Sequence, residues 1–337
     1  MNTSQALNRY STRADAMHGA RSVIACVDES EQAAKIVPHA IAVASALGLP
    51  ITLLRVLEPQ SGNFHSDPIE WNLRRHDARN ALKRLAAARI RDAGPIDAEL
   101  IDGHAADQIC RWTREQAADL VVVGTHGECG SGISDLGSTA RGVLAHSDGS
   151  VLLVPARAPE ERTVQYRRIL VPLDGSPWAE SAMPLAQRLA RAVGADLLLA
   201  HIVPVPELTQ IGPLEAEDLK LRDRVVERNE RVAQAYIARV RSQAIENGLR
   251  VRAMTVHGAD VRSSLAQLVD AEGVDLVVLS AHGHGGGRLP DVPYGSVAAY
   301  LMTHSATPML IVRSGAAPDT LHASTPHEIA FGAGTAK

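Results

Sequence analysis

Short apolar runs alternate along the chain with longer segments of helical period. In the first half the runs are SVIACV (residues 22–27), ITLLRV (51–56), AELI (98–101), LVVVG (120–124) and SVLLVP (150–155). They are rich in Val, Ile and Leu and apolar on both faces, which is the pattern of strands buried in a parallel sheet. Between them helices are predicted over residues 32–47, 68–92, 106–116 and 138–146. Asp67 before Pro68 is a helix start, because Asp can cap free amides and Pro tolerates the first turn. Gly48 and Gly94 are stop signals. The second half repeats the alternation, with runs at 169–173, 197–203, 251–256, 276–280 and 309–313. Strand and helix in alternation, with short loops, give an α/β fold: a doubly wound parallel sheet with helices on both faces.

The two halves match in detail. Asp28 pairs with Asp174 and Val56 with Ile202, both at an offset of 146; Gly103 and Gly258 are 155 apart, and Gly127 and Gly283 are 156 apart. Gly137 with Gly295, and His146 with His304, hold 158. An offset that grows only by small insertions marks a duplicated domain. The expected organisation is a flexible terminus over residues 1–19, one domain over 20–156, a polar linker over 157–166, a second domain over 167–314 and a flexible tail over 315–337. The main insertion precedes a long charged helix that runs to about Asn247, and its charged stretch from Glu215 to Arg241 reads as a solvated face.

Composition changes this picture little. Of 337 residues, 34 are Lys or Arg and 38 are Asp or Glu, a formal charge of −4 that argues against a sequence-independent nucleic-acid binder. No apolar run approaches the length of a membrane span, and the first residues lack the apolar core of a secretory signal. Cys26, Cys110 and Cys129 are too few and too scattered for a disulfide framework, so a reducing cytoplasm is the expected compartment.

The candidate chemistry lies after the fourth strand of the first half. Val123 and Gly124 run into a loop with the skeleton Gly124-x2-Gly127-x9-Gly137-Ser138, and a helix opens at Ser138 and Thr139. Glycines let backbone approach a ligand and take positive φ, and a helix N-terminus offers free amides to an anion. In a doubly wound sheet the ligand crevice opens at the carboxyl ends of the strands, and Asp28 would face it. Glu128 places a carboxylate in the same loop, and no Walker lysine supplies a fixed positive charge.

These pieces resemble the universal stress protein family over roughly residues 21–313. The resemblance rests on CVDES and PLDGS after the first strands, VGTHG and LSAHG after the fourth, and GSTA and GSVA opening the last helices. It implies, for each half, a five-stranded parallel sheet of order 3-2-1-4-5, like the adenine nucleotide alpha hydrolases. It also implies ATP or another adenine nucleotide in the crevice, with Mg a candidate companion. Two such domains would pair through their last strands, here within one chain, and homodimerisation or unknown protein partners could follow. Carried over by position, Asp28 and Val56 would contact adenosine, Val123, Gly124 and Gly127 would line the ribose and phosphates, and Gly137, Ser138 and Thr139 would bind phosphate. The second half offers Asp174, Ile202, Ser280, Gly283, Gly295, Ser296 and Val297. It departs from the pattern: Ser280 replaces the first glycine, and eleven residues rather than nine separate Gly283 from Gly295.

The remaining candidates have plainer readings. His126, His282 and His284 are loop histidines with no cluster of metal-ligand spacing. His146 and His304 can bond helix-end carbonyls. Cys129 has no partner cysteine nearby, and no base, metal or arginine stands at a spacing that suggests catalysis. The expected function is a stress-response sensor or regulator that binds nucleotide. The alternatives are a scaffold without nucleotide and a slow ATPase in the same crevice.

Overall fold

The computed structural model describes residues 22–59, 68–126, 136–206, 215–246, 248–281 and 294–313. Asp67, Gly127, Glu128, Cys129, His282, Gly283 and His284 lie outside them. In the first half β1 (Val23–Cys26), β2 (Ile51–Leu57), β3 (Asp97–Asp102), β4 (Leu120–Gly124) and β5 (Ser150–Val154) alternate with four helices. These are α1 (Gln32–Leu47), α2 (Pro68–Ala93), α3 (Ala105–Glu115) and α4 (Ser138–His146). The second half holds β6 (Arg168–Pro172), β7 (Asp196–Pro204), β8 (Val251–Gly258), β9 (Leu276–Ser280) and β10 (Met309–Val312). Its helices are α5 (Pro177–Glu180), α6 (Met183–Val193), α7 (Ala216–Glu246), α8 (Val261–Ala271) and α9 (Ser296–His304).

All of these strands join one 10-stranded sheet, ordered β3-β2-β1-β4-β5-β10-β9-β6-β7-β8. Each half has the 3-2-1-4-5 order and is parallel throughout; the halves meet antiparallel, with Leu310 opposite Leu152. The seam is as apolar as a domain interior, since every residue of β5 and β10 is buried. Because alternate strand residues point to opposite faces, the core splits in two. One layer, with Val23, Leu53, Leu152, Leu199 and Leu310, lies under α1, α2, α6 and α7 and runs through both halves. The other, with Ile24, Leu54, Val121, Leu153 and Ile311, lies under α3, α4, α8 and α9.

The helix after the first strand differs between the halves. Pro38 sits inside an unbroken α1, whereas its counterpart Pro184 falls in the first turn of α6, after the separate short α5. Proline lacks the amide for an interior helix bond but tolerates the first turn. The second half therefore restarts its helix at the position the first half bridges. Gly48 and Gly94 end α1 and α2 at positive φ, 66° and 76°. Among the described residues no helix is long and apolar enough to cross a membrane.

Candidate functional site

The crevice opens where β1 and β4 send their chains to opposite faces of the sheet, α1 to one and α4 to the other. Ala25 pairs with Val122, and that register carried three residues further sets Asp28 level with Thr125. The Asp28 Oδ1 accepts the Ser30 amide at 3.0 Å and the Ser30 hydroxyl, and the Ser30 hydroxyl oxygen accepts the Gln32 amide at 3.3 Å. The acid thus shapes the turn into α1. Asp174 repeats this: its Oδ1 takes the Ser176 amide at 2.9 Å and hydroxyl at 2.6 Å, and the Ser176 Oγ caps α5 through the Ala179 amide at 3.1 Å.

On the β4 side Thr125 is the hub. It is 2 % exposed; its amide bonds the Val154 carbonyl at 2.9 Å, and its carbonyl accepts the Gly137 amide at 2.8 Å. Its hydroxyl oxygen accepts the Ala156 amide at 3.1 Å and lies 3.0 Å from His126 Nδ1. A hydroxyl that accepts from an amide can donate to Nδ1, which leaves the ring proton on Nε2. That Nε2 is buried and has no partner among the described residues, and the same holds for Gln32 Oε1 at the start of α1. Gln32 Oε1 reaches the end of β4, 3.6 Å from where a Cβ on Gly124 would stand. Buried polar atoms without partners are uncommon and call for an explanation.

Gly124 and Gly137 are not at positive φ; the residues that are include neither. Glycine relieves a close approach here instead. A Cβ on Gly137 would stand 3.2 Å from the Thr125 oxygen, and one on Gly124 would stand 3.1 Å from the His126 oxygen and 3.2 Å from Ile36 Cδ1. Gly137 caps α4 with no side-chain bond to the first amides, so Ser138, which is exposed, and half-buried Thr139 open the helix toward solvent. Val56 is half-buried on β2 and Val123 is 3 % exposed within the core.

Two cations that the loop pattern does not reveal stand at this crevice. Arg141, in the first turn and a half of α4, donates to the Leu136 carbonyl at 3.1 Å. Arg55, 7 % exposed on β2, pairs with exposed Glu29 just after Asp28. Both positions read as ordinary helix and strand residues in sequence, because only folding brings them to the loop. Cys26 and Cys110 are buried and reduced, and burial pushes both thiols up.

The second crevice keeps the backbone and the Asp174 turn and changes the side chains that match Gln32, Arg55 and Arg141. The Gly295 amide bonds the Ala281 carbonyl at 3.1 Å, as Gly137 bonds Thr125. A Cβ on Gly295, however, would meet nothing within 4 Å among the described residues. Trp178 stands where Gln32 does, Ala299 where Arg141 does, and His201 where Arg55 does. His201 Nδ1 bonds the Leu173 carbonyl at 2.8 Å and meets the Tyr236 ring edge-on. Arg239 lies over that ring and pairs with Glu180 at 2.7 Å. Burial, then the Glu180 carboxylate, pushes the Tyr236 phenol up. Asp174 and Ser296 are exposed, Ser280 and Val297 half-buried, and Ile202 8 % exposed. Helix-end histidines behave alike in both halves: His146 Nδ1 bonds the Gly142 carbonyl at 3.0 Å, and His304 Nδ1 bonds that of Tyr300 at 2.9 Å. No group of three His, Cys, Asp or Glu among the described residues could hold a metal.

Comparison with known proteins bears on the family and the fold. A model of the universal stress protein family matches residues 19–155 and again 165–313. A universal stress protein of Mycolicibacterium smegmatis is 26% identical over 302 residues, covering 86% of this chain and 96% of that one. One from Mycobacterium tuberculosis is 26% identical over 231 residues, 68% of this chain and 69% of its own. Among solved structures, a universal stress protein from Archaeoglobus fulgidus superposes with a TM-score of 0.60 at 17% identity, covering 88% of this chain and 97% of that chain.

Proposed function

The chain belongs to the universal stress protein family, and from that premise we propose that it binds an adenine nucleotide in the crevice of its first half and acts as a stress-response sensor. The observation that carries the reading is the pair of buried, unpartnered polar atoms at the end of β4, Gln32 Oε1 and His126 Nε2. One is an acceptor and the other, in the arrangement set by Thr125, a donor. A polar ligand would satisfy both. The surroundings fit a nucleotide phosphate: Gly137 leaves the backbone bare, the first amides of α4 lack a side-chain cap, and Arg141 stands one turn away. Helix N-termini and bare amides favour anions. The same fit fails in the second half, where Trp178, Ala299 and an unconstrained Gly295 hold the matching positions. ATP is the first nucleotide to test, with and without Mg.

Gln32→Leu separates a binding role from a structural one. Replacing an orphaned buried acceptor by an apolar group is close to neutral or stabilising. Equilibrium dialysis should therefore show ATP binding weakened about tenfold, the loss of one hydrogen bond to a polar ligand, with thermal stability unchanged or raised. Unchanged binding in this variant would refute the assignment of Gln32 to the site.

A further inference from the structure

A second concavity lies away from both crevices. Between α1, the linker and the end of α6 is a cavity of about 710 Å³, within the range of small-molecule sites, which often occur at domain interfaces. One side is an apolar stripe of α1: Pro38, Ile41 and Ala42 line it at helical spacing. Val164 of the linker and Val193 of α6 also line it, and Val193 is 38% exposed.

The charge lining this groove is one-sided. Among the described residues, Arg162, Arg167 and Arg250 border it, against a single carboxylate, Asp196. Asp196 is already matched, because Arg250 Nε bonds it at 2.6 Å. Arg250 also donates to the Gly194 carbonyl at 2.6 Å, covering a helix-end oxygen that would otherwise repel an anion. Asp275 does not line the groove, and its Oδ2 accepts the Arg167 and Arg168 amides at 2.7 and 2.8 Å. Arg162 and Arg167 are exposed and supply the net positive charge.

The linker wall is held in place. Arg89 Nη1 bonds the Arg162 carbonyl at 3.1 Å, and the buried Tyr166 hydroxyl lies 2.8 Å from His39 Nδ1 on α1. A wall fixed before binding reduces the ordering cost of a ligand. We propose that this groove at the domain seam is a binding site for a free small amphiphile carrying a carboxylate, its apolar body along α1 and its anionic end at Arg162 and Arg167. Apolar lining with a few placed charges is the chemistry that recognises such molecules.

Calorimetric titration of the full chain with decanoate, beside the neutral decan-1-ol, tests the site. Saturable decanoate binding is expected, with the alcohol at least about tenfold weaker for want of charge-assisted bonds. The exposed double substitution Arg162→Glu with Arg167→Glu should weaken decanoate by about tenfold or more and leave thermal unfolding unchanged. Ala42→Trp, which fills the stripe, should abolish binding of both; if that variant does not fold, the glutamate variant decides. No saturable decanoate binding, equal binding of the alcohol, or unchanged affinity in the glutamate variant would overturn the proposal.

Discussion

The Gly137 amide donates to the Thr125 carbonyl at 2.8 Å, and this bond closes the base of the loop between β4 and α4. Gly295 and Ala281 make the same bond at 3.1 Å. The two glycines nevertheless differ: the first has the Thr125 oxygen 3.2 Å from a would-be Cβ, and the second has nothing within 4 Å of one among the described residues. The duplication preserved the backbone of the loop base while the steric demand for glycine stayed in one half.

That contrast predicts unequal costs for one substitution. Both glycines cap helices, where alanine alone costs up to about 1 kcal/mol, and Gly137→Ala also presses a methyl on a backbone oxygen, so it should cost about 1 kcal/mol more than Gly295→Ala. Thermal unfolding of the two variants measures the difference directly. Equal costs would mean that the loop base yields without strain.

Arg141 is exposed, so its truncation should change stability little. Arg141→Ala should weaken ATP by about tenfold, the scale of one charge-assisted bond, and leave adenosine binding nearly unchanged. A parallel titration with the two ligands reads this, and equal loss for both would place Arg141 away from phosphate.

His39 makes stability depend on pH. Burial holds its pKa near 4, against an ordinary 6.5. Between these values the unfolded chain binds a proton that the folded chain refuses. Its contribution is full above pH 6.5, falls as pH drops through that window, and levels off below pH 4; the loss amounts to about 3 kcal/mol. Denaturant melts at pH 7, 5.5 and 4.5 should show a steeper decline in wild type than in His39→Gln. Parallel declines would show that His39 is protonated without penalty.

The sheet was legible because buried parallel strands need uninterrupted Val, Ile and Leu. β4 and β9 fall at 120–124 and 276–280 as the apolar runs require, and α1 and α4 begin and end where the periodicity does. The pairing of β5 with β10 followed from the family resemblance, not from the pattern. Of the two reasons that the sequence offers for the loop glycines, positive φ does not hold at Gly137, and its close approach to Thr125 is a tertiary fact. Arg141 and Gln32 carry no local mark as candidates, because nothing in sequence distinguishes them from helix surface, and Arg55 shows only as a lone charge in the apolar run 51–56. Pro38 and Pro184 look equivalent in sequence, yet only the second marks a helix start.

The most direct test of the central claim counts nucleotide. Wild type, Gly137→Asp and Gly295→Asp should be saturated with ATP, freed of unbound ligand, denatured, and the released adenine nucleotide measured per chain. The account predicts a single nucleotide per wild-type chain, lost in Gly137→Asp, where a carboxylate enters the anion site, and retained in Gly295→Asp. Nucleotide retained in Gly137→Asp, or lost only in Gly295→Asp, would contradict it.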